Sequence, residues 1–142
     1  MKRIGILLPL ILCALLLSAC AGNTSNAWRN GMDLSAVYSA EEVNDAMDAV
    51  EDHFRAEFPG CDLMNVRYDE SAEVLGEQAG WADYYGAEDA IVLFSDFTTP
   101  RWVEDNSLQP NDCYINWKWV LTREEGGTWQ LRLGERDEQY NP

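Results

Sequence analysis

Hydrophobic positions change their spacing four times along the chain. Residues 4–17 form an uncharged run interrupted by Pro9, and residues 20–38 have no sustained period. From Ser39 to Gly60 the apolar residues recur every three or four positions. Val43, Ala46, Met47, Val50, Phe54 and Phe58 fall on one stripe while the acids between them face water, which predicts an amphipathic helix. Ser39 followed three residues later by Glu42 makes a capping box at its start, and Pro59–Gly60 stops it.

Beyond the helix the period drops to two. "CDLMNVRYDE" alternates Met64, Val66 and Tyr68 against Asn65, Arg67 and Asp69, and "AIVLFSDF" is a nearly continuous apolar run suited to a central strand. "YINWKWVLTR" places Ile115, Trp117, Trp119 and Leu121 on one face, and "TWQLRLG" does the same for Trp129, Leu131 and Leu133. The "EEGG" between them predicts a tight turn and an antiparallel hairpin. Two stretches are irregular: "SAEVLGEQAGWADYYGAED" has room for a short helix, and "TTPRWVEDNSLQPND" is a long polar connection. One helix cannot cover its own stripe, and a sheet with one apolar face needs a lid. The expected fold is therefore α+β: an N-terminal amphipathic helix on a curved antiparallel sheet of about four strands, in one domain over residues 39–142.

The uncharged run at 4–17 is too short to span a hydrocarbon core, which takes roughly 20 apolar residues. Lys2 and Arg3 before it and small residues after it match a secretory signal peptide over residues 1–19. Its ending, Leu17-Ser18-Ala19-Cys20, resembles the lipobox of bacterial lipoproteins. That resemblance implies that Cys20 carries a diacylglycerol thioether and becomes the mature N-terminus. The membrane is then the first partner, and the chain is held on the outer face of the cytoplasmic membrane. Two or more acyl chains make such anchoring stable, at about 0.8 kcal/mol per buried methylene. Residues 20–38 are expected to act as a flexible tether with a reach of about 23 Å.

Charge narrows the remaining partners. Ten basic residues face 25 acidic ones, a formal charge of −15 that becomes about −17 once Lys2 and Arg3 leave with the signal peptide. Nucleic-acid binding needs clustered Lys and Arg to displace counterions from phosphates, so nucleic acid is excluded. What remains is a protein, small-molecule or glycan ligand. No cofactor or metal is called for: His53, the single histidine, lacks an HxxxH or HExxH companion. Glu104, Asp105, Asn106, Asn111 and Asp112 gather oxygen ligands in one loop but lack the calcium-loop spacing. Cys61 and Cys113, outside the cytoplasm, are candidates for a disulfide closing a loop of about 53 residues, stabilising by roughly 4 kcal/mol on the chain-entropy model.

The capped helix running into "FPGCDL" and "VRYDE", the strand "IVLFSDF" and the closing "WVLTREEGGTWQLRLGE" resemble small secreted lipoprotein domains of Gram-positive bacteria. Those domains are similar to the nuclear-transport-factor-2-like superfamily. The resemblance covers about residues 39–135 and implies a cone of curved sheet around helices with a pocket inside. It carries little about chemistry, because the superfamily holds enzymes, solute binders and adaptors. The pocket candidates are Tyr68, Glu70, Trp81, Trp102, Trp117 and Trp119. An enzyme of the hydrolase or isomerase type would draw on Tyr68, Asp69, Glu70, Asp96 and His53. A cell-wall glycan binder would use the aromatics, to which Tyr84, Tyr85, Tyr114 and Trp129 also belong. A membrane-anchored binding or interaction module is the reading that asks least of the sequence.

Overall fold

The structure, a computed structural model, describes residues 21–103 and 107–136. The signal peptide expected over residues 1–19 and the lipidation expected at Cys20 fall outside the described residues. Its elements in chain order are β1 (Trp28–Asn30), a 3-10 turn (Met32–Leu34), α1 (Ala40–Glu57), β2 (Asp62–Arg67), α2 (Ala72–Tyr85), β3 (Asp89–Thr98), β4 (Cys113–Arg123) and β5 (Gln130–Arg136). The five strands form one sheet in the order β1-β2-β3-β4-β5. β1 runs parallel to β2 and every other pair is antiparallel.

The helix α1 is built as its pattern requires. Ser39 Oγ accepts the Glu42 N–H at 3.2 Å while Glu42 Oε2 accepts the Ser39 N–H at 2.8 Å, closing the capping box. Its stripe of Val43, Ala46, Met47, Val50 and Phe54 is fully buried. The stripe packs on Ile91, Leu93 and Phe97 of β3 and on Trp119 and Leu121 of β4. Arg123 ties the helix start to the sheet: it reaches Glu42 at 2.6 Å and Asp89 at 3.0 Å while stacking 4.2 Å over the Trp129 ring.

The expectation of one helix on an antiparallel sheet of about four strands, shaped as a cone, is overturned: the sheet is five-stranded and mixed, with two helices. Val74 of α2 packs with Val92 and Val120, whose side chains point opposite to those of Ile91, Leu93, Trp119 and Leu121. The two helices therefore cover opposite faces, and β3 is buried on both, as its continuous apolar run requires.

Residues 21–38 are not a free tether either. Arg29 in β1 binds Asp48 at 2.6 Å and Glu51 at 2.9 Å on α1. Asn23 bridges to Asp62, and Tyr38 is buried with its hydroxyl donating to Asp89 and the Ala90 carbonyl at 2.7 and 2.8 Å.

Three β-bulges shift the alternation read from sequence. β2 shifts register between Leu63 and Asn65, and Leu63, Val66 and Tyr68 are the buried set while Met64 is exposed. Opposite Asp96, β4 fits Ile115 and Asn116 between Tyr114 and Trp117, so Tyr114 turns inward and Ile115 outward. The third, at Arg132, sends Leu131 toward the α1 core and Leu133 toward the α2 core. One inserted residue reverses the facing of everything beyond it. The first two bulges meet at Asp96, whose carboxylate accepts the Asn65 Nδ2–H at 2.8 Å and the Asn116 amide at 2.9 Å. That acceptor helps hold Asn116 in its left-handed backbone conformation, φ 56°.

Candidate functional site

The described parts of the long connection, residues 99–103 and 107–112, fold back toward the sheet. Thr99 Oγ1 donates to the Gln109 carbonyl at 2.6 Å and accepts the Asp112 N–H at 2.9 Å. Leu108 is buried in the α1 core and the Gln109 N–H donates to Tyr114 Oη at 2.7 Å. Beside Leu108, the end of α1 and the β4–β5 ribbon leave a cleft of about 420 Å³. It is lined by His53, Glu57, Phe58, Leu108, Trp117 and Arg136, with Ser107, Gly134 and Glu135.

The cleft combines an aromatic wall with a charged rim. Phe58 meets Trp117 edge-on at 6.1 Å between ring centroids, and His53 meets Trp119 edge-on at 5.9 Å. Burial pushes His53 below its ordinary value against the pull of Glu57. Gly134 is required behind the wall, because a Cβ there would come within 2.7 Å of Trp119 Cε3 and 3.1 Å of Trp117 Nε1. Among the described residues, Trp117 Nε1 is the one buried side-chain polar atom without a hydrogen-bond partner. A buried donor left unpaired costs about 1–3 kcal/mol.

A second cleft, of about 220 Å³, lies on the opposite face. Its lining includes Arg67, Asp69, Ser71, Glu73, Glu77 and Asn116. Its central groups are already satisfied within the protein: Arg67 binds Asn65 at 2.6 Å, Asp96 at 3.1 Å and the Asn116 side chain. Burial opposes the charged form of Asp96, but hydrogen bonds from Asn65, the Asn116 amide and Arg67 outweigh it and hold the carboxyl below its usual range. This cluster braces two bulges.

The residues singled out by sequence scatter. Of the six pocket candidates only Trp117 lines the cleft at α1, with Trp119 fully buried behind it. Tyr68 is buried, its hydroxyl donating to Glu70 at 3.0 Å. Glu70 accepts the Ala36 N–H at 2.7 Å and the Ser35 hydroxyl, clasping the chain before α1. Burial, with the Glu70 contact adding to it, pushes the Tyr68 phenol up to about 12, away from acid–base work near neutrality. Trp81 stacks on Tyr85 along α2, and Trp102 stands 82% exposed in the long connection. His53 and Asp96 lie on opposite faces of the sheet, so the expected acid–base set is not brought together.

Glu57, Leu108, Glu135 and Arg136 were not foreseen. A lone leucine in a polar loop before Pro110 was the only mark in the sequence, and the charged residues carried none. Of the oxygen-rich loop, 104–106 lies outside the described residues, Asp112 caps the Cys113 N–H at 2.8 Å, and no metal-holding group of three or more ligands occurs among the described residues.

Cys61 and Cys113 are free thiols in the structure, so the expected bridge is not made. The register pairs Asp62 with Thr98 and Thr98 with Cys113, which puts β3 between the cysteines at a separation of about 10 Å, two strand spacings. A disulfide needs a Cα separation of roughly 4.4–6.8 Å. Burial, with Asp62 adding to it, pushes the Cys61 thiol up to about 11, whereas Cys113 is exposed. The native domain is expected to take up one alkylating group quickly, at Cys113, and a second only after denaturation. A non-reducing peptide map showing residues 61 and 113 linked would contradict this.

No protein-family model matches the chain, and no curated protein or solved structure matches it either.

Proposed function

We propose that the chain is a lipid-anchored extracytoplasmic binding module whose ligand seats in the cleft between α1 and the β4–β5 ribbon. The observation that carries this reading is the aromatic wall of Phe58 and Trp117 beside a rim of Glu57, Glu135 and Arg136. A ligand suited to it has a flat, weakly polar face for Phe58 and Trp117 and hydroxyl groups for the charged rim. A saccharide ring has both, which makes cell-wall glycans the first class to test. The layer between α1 and the sheet is filled by Phe54, Phe97, Trp119 and Leu121, so a small-substrate active site has no room inside it.

The test is titration of the 15N-labelled domain with chito-oligosaccharides and muropeptides, following the indole N–H signals. The Trp117 signal is expected to shift. Trp117→Phe, which keeps a smaller ring, should weaken binding by roughly tenfold or less, and Trp117→Ala by more. An unmoved Trp117 signal across the series would overturn glycan recognition at this cleft.

A further inference from the structure

At one end of the sheet the chain that follows Cys20 is fastened to the domain without slack. The Ala21 carbonyl accepts the Gly60 N–H at 3.2 Å and the Gly22 N–H donates to the Arg55 carbonyl at 3.0 Å. Asn23 donates its backbone N–H to the Cys61 carbonyl at 2.8 Å and accepts the Leu63 N–H at 2.9 Å. Its side chain adds a bond to Asp62 at 2.7 Å. Ala21, which follows Cys20 in the sequence, is thereby fixed against the turn 58–61.

The long connection meets the same turn. A Cβ on Gly60 would stand 3.1 Å from Cγ of Pro100, so the proline ring packs on the glycine that holds Ala21. Two residues on is Trp102, the most exposed large hydrophobic side chain among the described residues, with Arg101 exposed beside it. The backbone leading to it is pinned: Thr99 N–H donates to the Asp112 carbonyl at 2.9 Å and Asn111 N–H to the Pro100 carbonyl at 3.0 Å. An indole held out in this way is poorly matched to water. It is well matched to the bilayer interface, where tryptophan settles with its apolar body in and its N–H near the headgroups.

We infer that Trp102 is a second membrane contact, so that the domain rests on the bilayer at two points, the lipid on Cys20 and the Trp102 side chain, instead of swinging on a tether. The inference rests on the lipidation of Cys20. Glu104 and Asp105 follow Trp102 in the sequence and the formal net charge is −15, so the contact is driven by burial of the indole and not by attraction to anionic headgroups. Phe58 belongs both to the turn 58–61 and to the cleft wall, so this seating also fixes where the cleft opens relative to the membrane.

The full-length protein, extracted from membranes and reconstituted into phosphatidylcholine–phosphatidylglycerol vesicles with brominated acyl chains, tests this directly. Mass spectrometry of the N-terminal peptide reads the lipid separately: an unmodified Cys20 would remove both the anchoring and this inference. With Cys20 modified, tryptophan emission is expected to be quenched by the brominated chains. Trp102→Ala should lose that quenching while floating with the vesicles as well as the wild type does. Trp28, half-exposed in β1, pairs with Asn65 and so sits three residues along β2 from Asp62. Equal quenching of wild type and Trp102→Ala, or none in either, would overturn the second contact and leave the lipid anchor standing.

Discussion

Trp119→Ala should cost the domain about 4 kcal/mol, a large share of the roughly 5–15 kcal/mol that holds a domain of this size together. The indole is fully buried at the centre of β4, paired with Leu93 across the ladder. It touches the Phe58 ring at 5.6 Å, the Trp117 ring at 6.2 Å and the His53 ring at 5.9 Å between centroids. Its Nε1–H donates to Ser95 Oγ at 2.7 Å, and Ser95 is itself fully buried. Truncation would open a cavity behind the cleft and strand the serine hydroxyl, and the two costs add. Urea unfolding measures the change as a fall in midpoint at unchanged slope. Trp119→Phe should recover most of the packing and leave the hydroxyl's share as the difference. A loss below about 1 kcal/mol for Trp119→Ala would mean that the ring does not carry this part of the core.

Gly22→Val should free the chain that follows Cys20, at a cost of about 1–3 kcal/mol. Gly22 is buried, and a Cβ on it would run into the Phe54 carbonyl oxygen and approach the Phe58 carbonyl oxygen to 2.9 Å. Both obstacles are backbone at the end of α1 and cannot swing aside. β1 would stay in place through Arg29, so the disturbance should be confined to residues 21–25. The Gly60 and Leu63 amides, which donate to Ala21 and Asn23, report it: their hydrogen exchange should speed up tenfold or more. The membrane-bound variant should then regain the freedom of a tether. Unchanged exchange at both amides would show that the N-terminal chain is not held by these bonds.

Much of the architecture was legible from spacing alone. The capped α1 stripe, the central strand at 89–98 and the hairpin of β4 and β5 all appear where period and turn chemistry put them. α2 was harder to see for one identifiable reason. Val74, Gln78, Trp81 and Tyr85 follow helical spacing, but the second position is a glutamine. It is buried because its Oε1 accepts the Val92 N–H at 3.1 Å, on the stretch of β3 beyond the end of β2 at Arg67. Three-residue β1 carries no period at all, and its place was set by Arg29 reaching carboxylates on α1.

By itself the sequence determined what depends on neighbours along the chain: the helix with its cap, the strands from β2 onward and the net acidic charge. Tertiary structure decided what depends on residues distant in sequence. A bulge is invisible in a periodic pattern until the partner strand supplies the acceptor that stabilises it, as Asp96 does for Asn65 and Asn116. The cleft could not be read ahead either. His53, Leu108, Trp117 and Arg136 share no spacing, and they meet only because residues 107–112 fold back to bury Leu108 beside the end of α1.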